Sequence, residues 1–256
     1  MHGGTICQVL DSIMKQSYQD FEVIIVSPSE LILENLYKSY DIRKVHADVG
    51  LLKARYLAHK KAQGDYELIL DDSRLINKNC LEVLSNIKED MAIIGEKELG
   101  KGFWVDLANL DKKIIVKYNS TKIDPIHGFL LPRYYKNKVL NHTFNILHRK
   151  INKDNFNRII AGDHQLIYYE SYNYSKSVKL IKNELISHFG DVTAHSILKK
   201  YYRYGKTYKL IKNTPYVHLA NINEKKRIVP GFNNNLKLDI LYAVRGVPFI
   251  CGYILS

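Results

Sequence analysis

The chain has 256 residues, enough for one large domain or a domain with an appendage, and its 46% apolar and 25% charged content excludes a disordered chain. A formal net charge of +12, from 38 Lys and Arg against 26 Asp and Glu, leaves nucleic acid, anionic lipid and a polyanionic small ligand as partner classes that composition does not separate. Cys7, Cys80 and Cys251 are odd in number and far apart, which argues against a disulfide framework or a zinc cluster and fits a reducing cytoplasm.

No basic leader precedes an apolar run at the start, so no secretory signal is expected. Thr5-Ile6-Cys7-Gln8 has capping-box spacing, and Ile6, Val9, Leu10, Ile13 and Met14 continue it with helical period. Residues 21–26 are apolar apart from Glu22, the pattern of a strand covered on both faces. Ser27-Pro28-Ser29-Glu30 then offers a helix start with Leu33, Leu36, Tyr37 and Tyr40 on one face. The alternation continues with a strand at 44–47, a helix at 51–63, a strand at 66–70, a helix at 79–88 and a strand at 91–96. Strands alternating with helices predict an α/β fold built on a single, mostly parallel, doubly wound sheet.

The strand after Gly64 runs from Tyr66 to Leu70 straight into Asp71-Asp72-Ser73. Ligands of open α/β sheets bind beyond the carboxyl ends of the strands, so these acids point to a metal or a phosphate-bearing ligand. Asp-Asp-Ser is also ordinary turn chemistry.

Beyond Glu96 the pattern loosens: Gly100, Gly102, residues 118–121 and the basic, Asn-rich 145–158 read as loops or short elements. Asp163 opens a helix carrying Leu166, Ile167 and Glu170, or caps it. Short strands at 178–181 and 184–187 lead to His188, and Asp191 can cap a long basic helix over 192–212. The most apolar segment, 238–255, contains Asp239, Arg245, Gly246 and Pro248 and is marginal for a membrane span, so it reads as packed or interfacial. The expected division is an α/β domain over 1–213 and a C-terminal helical extension over 214–256.

In order and spacing these pieces resemble family 2 glycosyltransferases, from Thr5 to about Lys209. Residues 10–26, with Gln16-Ser17-Tyr18, look like the family's helix, turn and second strand; Ala54-Arg55 and Ala62-Gln63-Gly64-Asp65-Tyr66 look like the approach to its acidic motif. Gly100-Lys101-Gly102-Phe103-Trp104, Gly162-Asp163, His188 and residues 200–206 resemble later blocks of one subgroup. The resemblance implies the A-type nucleotide-sugar fold, a nucleotide-diphosphate sugar donor, Mg²⁺ or Mn²⁺ held by an Asp-X-Asp motif, and transfer with inversion. It maps the metal to Asp71, Asp72 and His188, the catalytic base to Asp163, and diphosphate contacts to Arg203 and Lys206 beside Asp71, Asp72 and His188.

Three departures stand against it: Ser73 occupies the place of the motif's second acid, Ser27-Pro28 that of the acid after the second strand, and the family's opening strand does not precede Met1-His2-Gly3-Gly4. The competing reading is therefore a catalytically degraded binding or scaffold protein of the same fold. For His188 the plain alternative is a solvated or core-satisfied histidine, and for Arg203 and Lys206 a solvated helix face. Nucleic-acid binding ranks below both, since the tyrosines around position 204 serve equally as packing and no recognition motif is present. A tail rich in Leu238, Leu241, Phe249 and Ile250 beside a basic helix points to a peripheral protein on the cytoplasmic membrane face and a lipid-linked acceptor.

Overall fold

The computed structural model describes residues 3–29, 40–220 and 228–255. The helix expected after Ser27-Pro28 falls on residues outside these. Helix α1, Gly3–Met14, begins before Thr5, so the capping-box residues lie inside it. Strands β1, Val23–Ser27, and β2, Ile42–His46, pair in parallel with Val23 opposite Ile42. Helix α2, Leu51–His59, leads to β3, Tyr66–Leu68. After the Asp71-Asp72-Ser73 turn come β4, Arg74–Ile76, helix α3, Cys80–Ser85, and β5, Met91–Leu99.

A single, mostly parallel sheet does not form. β1 and β2 make a two-stranded sheet of their own, and a second, five-stranded sheet has the order β3-β6-β5-β7-β4, where β6 is Tyr134–Lys136 and β7 is Val178–Phe189. Within it only β5 and β7 run parallel; β3, β4 and β6 pair antiparallel. The reason is local. These three strands are three residues long, so each carries an apolar signal but no directional one, and the chain that turns at Asp71-Asp72-Ser73 folds back along the edge of β7. The two short strands expected over 178–187 are one strand whose register with β5 shifts beside Gly95, across from the polar Lys182-Asn183 pair.

Beyond Glu96, where the sequence pattern loosens, most of the chain to Arg158 that shows no element or reads as loop is helical. Helix α4, Phe103–Tyr118, buries Val105, Leu107, Ala108 and Ile114, and α5, Asn137–Lys150, buries Val139, Leu140, Thr143, Phe144 and Leu147 on one stripe. Helix α6, Lys153–Arg158, is capped by Asn152, whose side chain accepts from the Asn155 amide. Helix α7, Asp163–Tyr174, has Gly162 as its cap, so Asp163 is its first residue. Helix α8, Ala194–Lys212, is capped by Thr193; Asp191 instead pairs with Lys200 at 3.0 Å.

The main core lies between the sheet and helices α5 and α7, where Tyr135, Phe144, Leu147, Leu166, Ile167 and Tyr168 are fully buried. Each such side chain stabilises the fold by roughly 1.5–3 kcal/mol. A second cluster, Ile76, Cys80, Leu84, Ala92, Ile94 and Ile186, seats α3 on the other side of the strands.

The last helix, α9, Phe232–Ile254, packs on α8 and, through Leu238 and Leu241, on Leu107 and Ile114 of α4. Gly205 of α8 faces the Phe249 carbonyl and Gly252 of α9 faces the Tyr202 carbonyl, so closely that a Cβ at either would lie within 2.1 Å of backbone oxygen. The crossing therefore requires glycine on both helices. Asp111 of α4 adds polar anchors: the Tyr242 hydroxyl donates to it at 2.8 Å and Arg245 at 3.1 Å.

Candidate active site

The strand ends around Asp71 are set by backbone pairing. Across β4, β7 and β5, Arg74 lies opposite His188 and His188 opposite Glu98, which puts one side chain from each of three strands in a row. Glu96 and Glu98 are two apart on β5 and share a face. Helix α2 approaches from the other side. The Gly50 amide donates to the Asn157 carbonyl at 2.5 Å and the Leu52 amide to Ile159 at 3.2 Å, locking the start of α2 against the segment that leads into α7. His59 Nδ1 lies 2.7 Å from Glu67 of β3, fixing the helix's other end. Arg55 on α2 is thereby held between Asp71 and Asp163.

Gly162 makes the approach to Asp163 possible. Its φ of 77° is left-handed, and a Cβ there would meet the Ile211 and Tyr208 side chains at 2.6 and 2.7 Å. Glycine is the residue that adopts this conformation without steric cost.

The charged groups form one continuous chain of pairs. Arg55 pairs with Asp163 and donates to Asp71 Oδ1 at 2.8 Å. Asp71 Oδ2 pairs with Arg74 and lies 3.7 Å from Arg133. Arg133 and Arg74 both reach Glu96 Oε1, Arg74 through Nε at 3.4 Å. Lys112 of α4 joins Glu96 at 3.4 Å to Glu98 at 2.9 Å, and Glu98 ends on His188 Nδ1 at 2.7 Å. Arg133 also donates to His164 Nε2 at 3.1 Å. Four carboxylates thus face four permanent cations.

Ionisation follows from this pairing. Burial alone would raise the Asp71 carboxyl, but Arg55, Arg74 and Arg133 hold it well below the usual carboxylate range, and Arg133, Arg74 and Lys112 do the same for Glu96. Glu98, against the same cost of burial, is drawn down to about 2 by His188 and Lys112. Burial lowers Arg55 to about 10 against the pull of Asp71, and burial with the neighbouring Arg55 and Arg133 keeps the His164 imidazole neutral.

The residues expected from sequence divide. Asp71, Asp163 and His188 belong to the chain of pairs. Asp72 is exposed and outside it. Arg203 and Lys206 are exposed on α8, where they lie over the Tyr204 and Tyr202 rings rather than in the carboxylate row. The residues missed are Arg74, Arg133, Glu96, Glu98, Lys112 and His164, and Arg55, which reads in the sequence only as part of the approach to the acidic motif. For the two glutamates a signal existed, their period of two in a strand; the rest are joined by tertiary contact alone.

The residues present do not suit the divalent cation that the resemblance implies. Both Asp71 oxygens are committed to guanidinium groups, Ser73 is a neutral ligand where an acid is needed, and His188 shares Nδ1 with Glu98. Among the described residues no group of three or more His, Cys, Asp or Glu could hold a metal ion.

Comparison with solved structures finds the same fold. A crystal structure of residues 1–349 of S. aureus TarS matches with a TM-score of 0.57 at 17% identity, covering 98% of this chain and 77% of that one. The complex of that TarS fragment with UDP-GlcNAc matches with a TM-score of 0.55 at 17% identity over 84% of this chain and 65% of its own. A longer S. aureus TarS crystal structure matches over 84% of this chain with a TM-score of 0.55 and 17% identity, and this chain spans only 39% of its length. Comparison with the curated proteins finds no match. The family model described as "Glycosyl transferase family 2" matches residues 3–156, more than half of the sequence. With these strand ends and this fold beneath it, the chain belongs to glycosyl transferase family 2.

Proposed function

We propose that the chain transfers a sugar, with inversion, from a nucleotide-diphosphate donor to an acceptor hydroxyl, with Asp163 as the general base. The observation that carries this reading is the single guanidinium of Arg55, which pairs with both Asp163 and Asp71 and so brings the mapped base to the mapped donor motif. The acceptor oxygen would attack the anomeric carbon as the bond from that carbon to the diphosphate breaks. The electron pair leaves with the diphosphate, and the acceptor proton passes to Asp163. Arg55 offsets the cost of burying the Asp163 carboxylate, and inward-facing cations oppose the charge that builds on the leaving group. TarS has been crystallised with UDP and with UDP-GlcNAc, which makes a uridine diphosphate sugar the first donor class to test.

The test is Asp163→Asn. Loss of sugar transfer by about 10²–10⁴-fold with donor binding retained supports the base role. Undiminished transfer by the variant refutes it. The reading as a non-catalytic binding protein is favoured by Ser73 and by the self-neutralised carboxylates; it predicts that the wild type binds a donor and releases no nucleotide with any acceptor.

The acceptor is proposed to be lipid-linked, presented at an anionic membrane face. Helix α8 carries six Lys and Arg and no acid, and α9 beside it exposes Phe232, Leu236, Val247, Ile250 and Ile254. No helix among the described residues is long and apolar enough to cross a membrane, which leaves surface contact as the mode. Arg203 and Lys206 serve this outward basic face in the same reading. Flotation with anionic liposomes, with and without residues 236–256, tests it.

A further inference from the structure

We propose that this chain binds its donor's diphosphate without a divalent cation, the positive charge being supplied by Arg74, Arg133 and Lys112. The inference rests on the donor reading above and concerns how that donor is held.

A metal ion entering at Asp71 has to displace guanidinium groups already paired with its oxygens, and it brings two positive charges into a row that holds Arg55, Arg74, Arg133 and Lys112. Mg²⁺ in particular needs near-octahedral oxygen ligation, and neither Ser73 nor the exposed Asp72 replaces the committed carboxylate oxygens. An incoming diphosphate meets the opposite situation. A guanidinium has five N–H donors in a planar fork, so it can serve a carboxylate and a phosphate together. Arg74 spends Nη1 on Asp71, while its buried Nε stands 3.4 Å from Glu96 without a hydrogen bond; Arg133 spends Nε on Glu96 and Nη1 on His164. Neither Nη2 takes part in these pairs, and the two side chains are 14% and 11% exposed. The Lys112 ammonium, 26% exposed, completes the set with three donors shared between two glutamates.

Placement agrees with chemistry. Arg74 directly follows the Asp71-Asp72-Ser73 turn, at a strand end of the kind where α/β proteins bind ligands, and stands in register with His188 and Glu98. Glu96 and Glu98 then act as positioning residues, each holding a cation at the strand ends without touching the donor. Fixed Arg and Lys side chains, like a metal ion, can stabilise the negative charge that develops on phosphate oxygens.

The experiment is calorimetric titration of the full chain with UDP, in EDTA and in excess Mn²⁺, for wild type, Arg74→Gln, Lys112→Gln and Arg74→Lys. Mn²⁺ binding is followed separately by electron paramagnetic resonance, and folding of each variant by thermal unfolding. Asp71 retains Arg55 and Glu96 retains Arg133 in the Arg74 variants, so the fold is expected to survive. The expected result is equal UDP affinity in EDTA and Mn²⁺, no Mn²⁺ uptake at the protein, and about tenfold weaker UDP binding for each Gln variant, less for Arg74→Lys, with uridine binding unchanged. UDP binding that requires Mn²⁺, or Gln variants that bind UDP like wild type, overturns the proposal while leaving the donor reading intact. Silence toward UDP, GDP and TDP in both buffers overturns both.

Discussion

The strand ends around Asp71 and the outer face of helices α8 and α9 use charge in opposite ways. At the strand ends Asp71, Asp163, Glu96 and Glu98 are each matched by an arginine or lysine of the same protein, and the groups are half-buried or buried. On α8 and α9 the cations have few acids beside them and stand next to apolar side chains left in solvent, Phe232 at 81% and Ile254 at 67% exposure. Helices α8 and α9 carry eight Lys and Arg against one acid, more than half of the chain's net +12, whereas the paired groups at the strand ends balance. A strongly basic composition here says little about the paired groups at the strand ends and more about the two outer helices.

The largest effect should come from breaking the inner balance. Arg55→Ala leaves Asp163 and part of Asp71 buried without their shared partner and is expected to cost about 3–5 kcal/mol, read as a drop in the denaturation midpoint. Acid acts on the same balance through several groups at once. Asp71, Glu96 and Glu98 titrate below their unfolded values, so their stabilisation is complete above the ordinary carboxylate range near pH 4–5 and is lost as pH falls through the folded values. Glu98 alone, drawn from 4.5 to about 2, contributes on the order of 3 kcal/mol at neutral pH. Stability measured between pH 6 and pH 2 should fall steeply; a flat profile would mean the pairs are not formed in solution.

The outer face should respond to charge and apolar loss without a change in stability. Val247→Asp with Ile254→Asp, both on the exposed side of α9, should reduce binding to anionic vesicles by about tenfold or more, and raised salt should weaken what remains. If neither change alters flotation, the exposed stripe does not meet lipid. The smallest effect is expected from Arg245→Ala, which removes one anchor on Asp111 while Tyr242 stays: about 1 kcal/mol by thermal or chemical unfolding.

Much of the first hundred residues was legible because the segments are long enough to show a period. The strand at 91–96 and the helix from Leu51 were expected within a few residues of where they form. Helices α4 and α5 were missed although their buried positions recur at helical spacing; Lys112 and Lys113 in one, and Asn137, Asn141 and Asn145 in the other, dilute the apolar signal that tertiary packing then selects. Asp191 was expected to cap α8, but Thr193 lies next to the first turn and its hydroxyl accepts from Ser196 at 3.2 Å, freeing Asp191 for Lys200.

By itself the sequence determined the alternation of strands and helices, the family, and the approximate places of Asp71, Asp163 and His188, because these depend on local period, turn chemistry and order along the chain. Only the tertiary structure decided that the sheet is split and mixed, since strands of three residues take their direction from the connections that return them. Only it, too, decided that Arg74, Arg133 and Lys112, spread over 60 residues of sequence from 74 to 133, converge on the acids of one site, because pairing between buried charges depends on separation in space, to which spacing along the chain is blind.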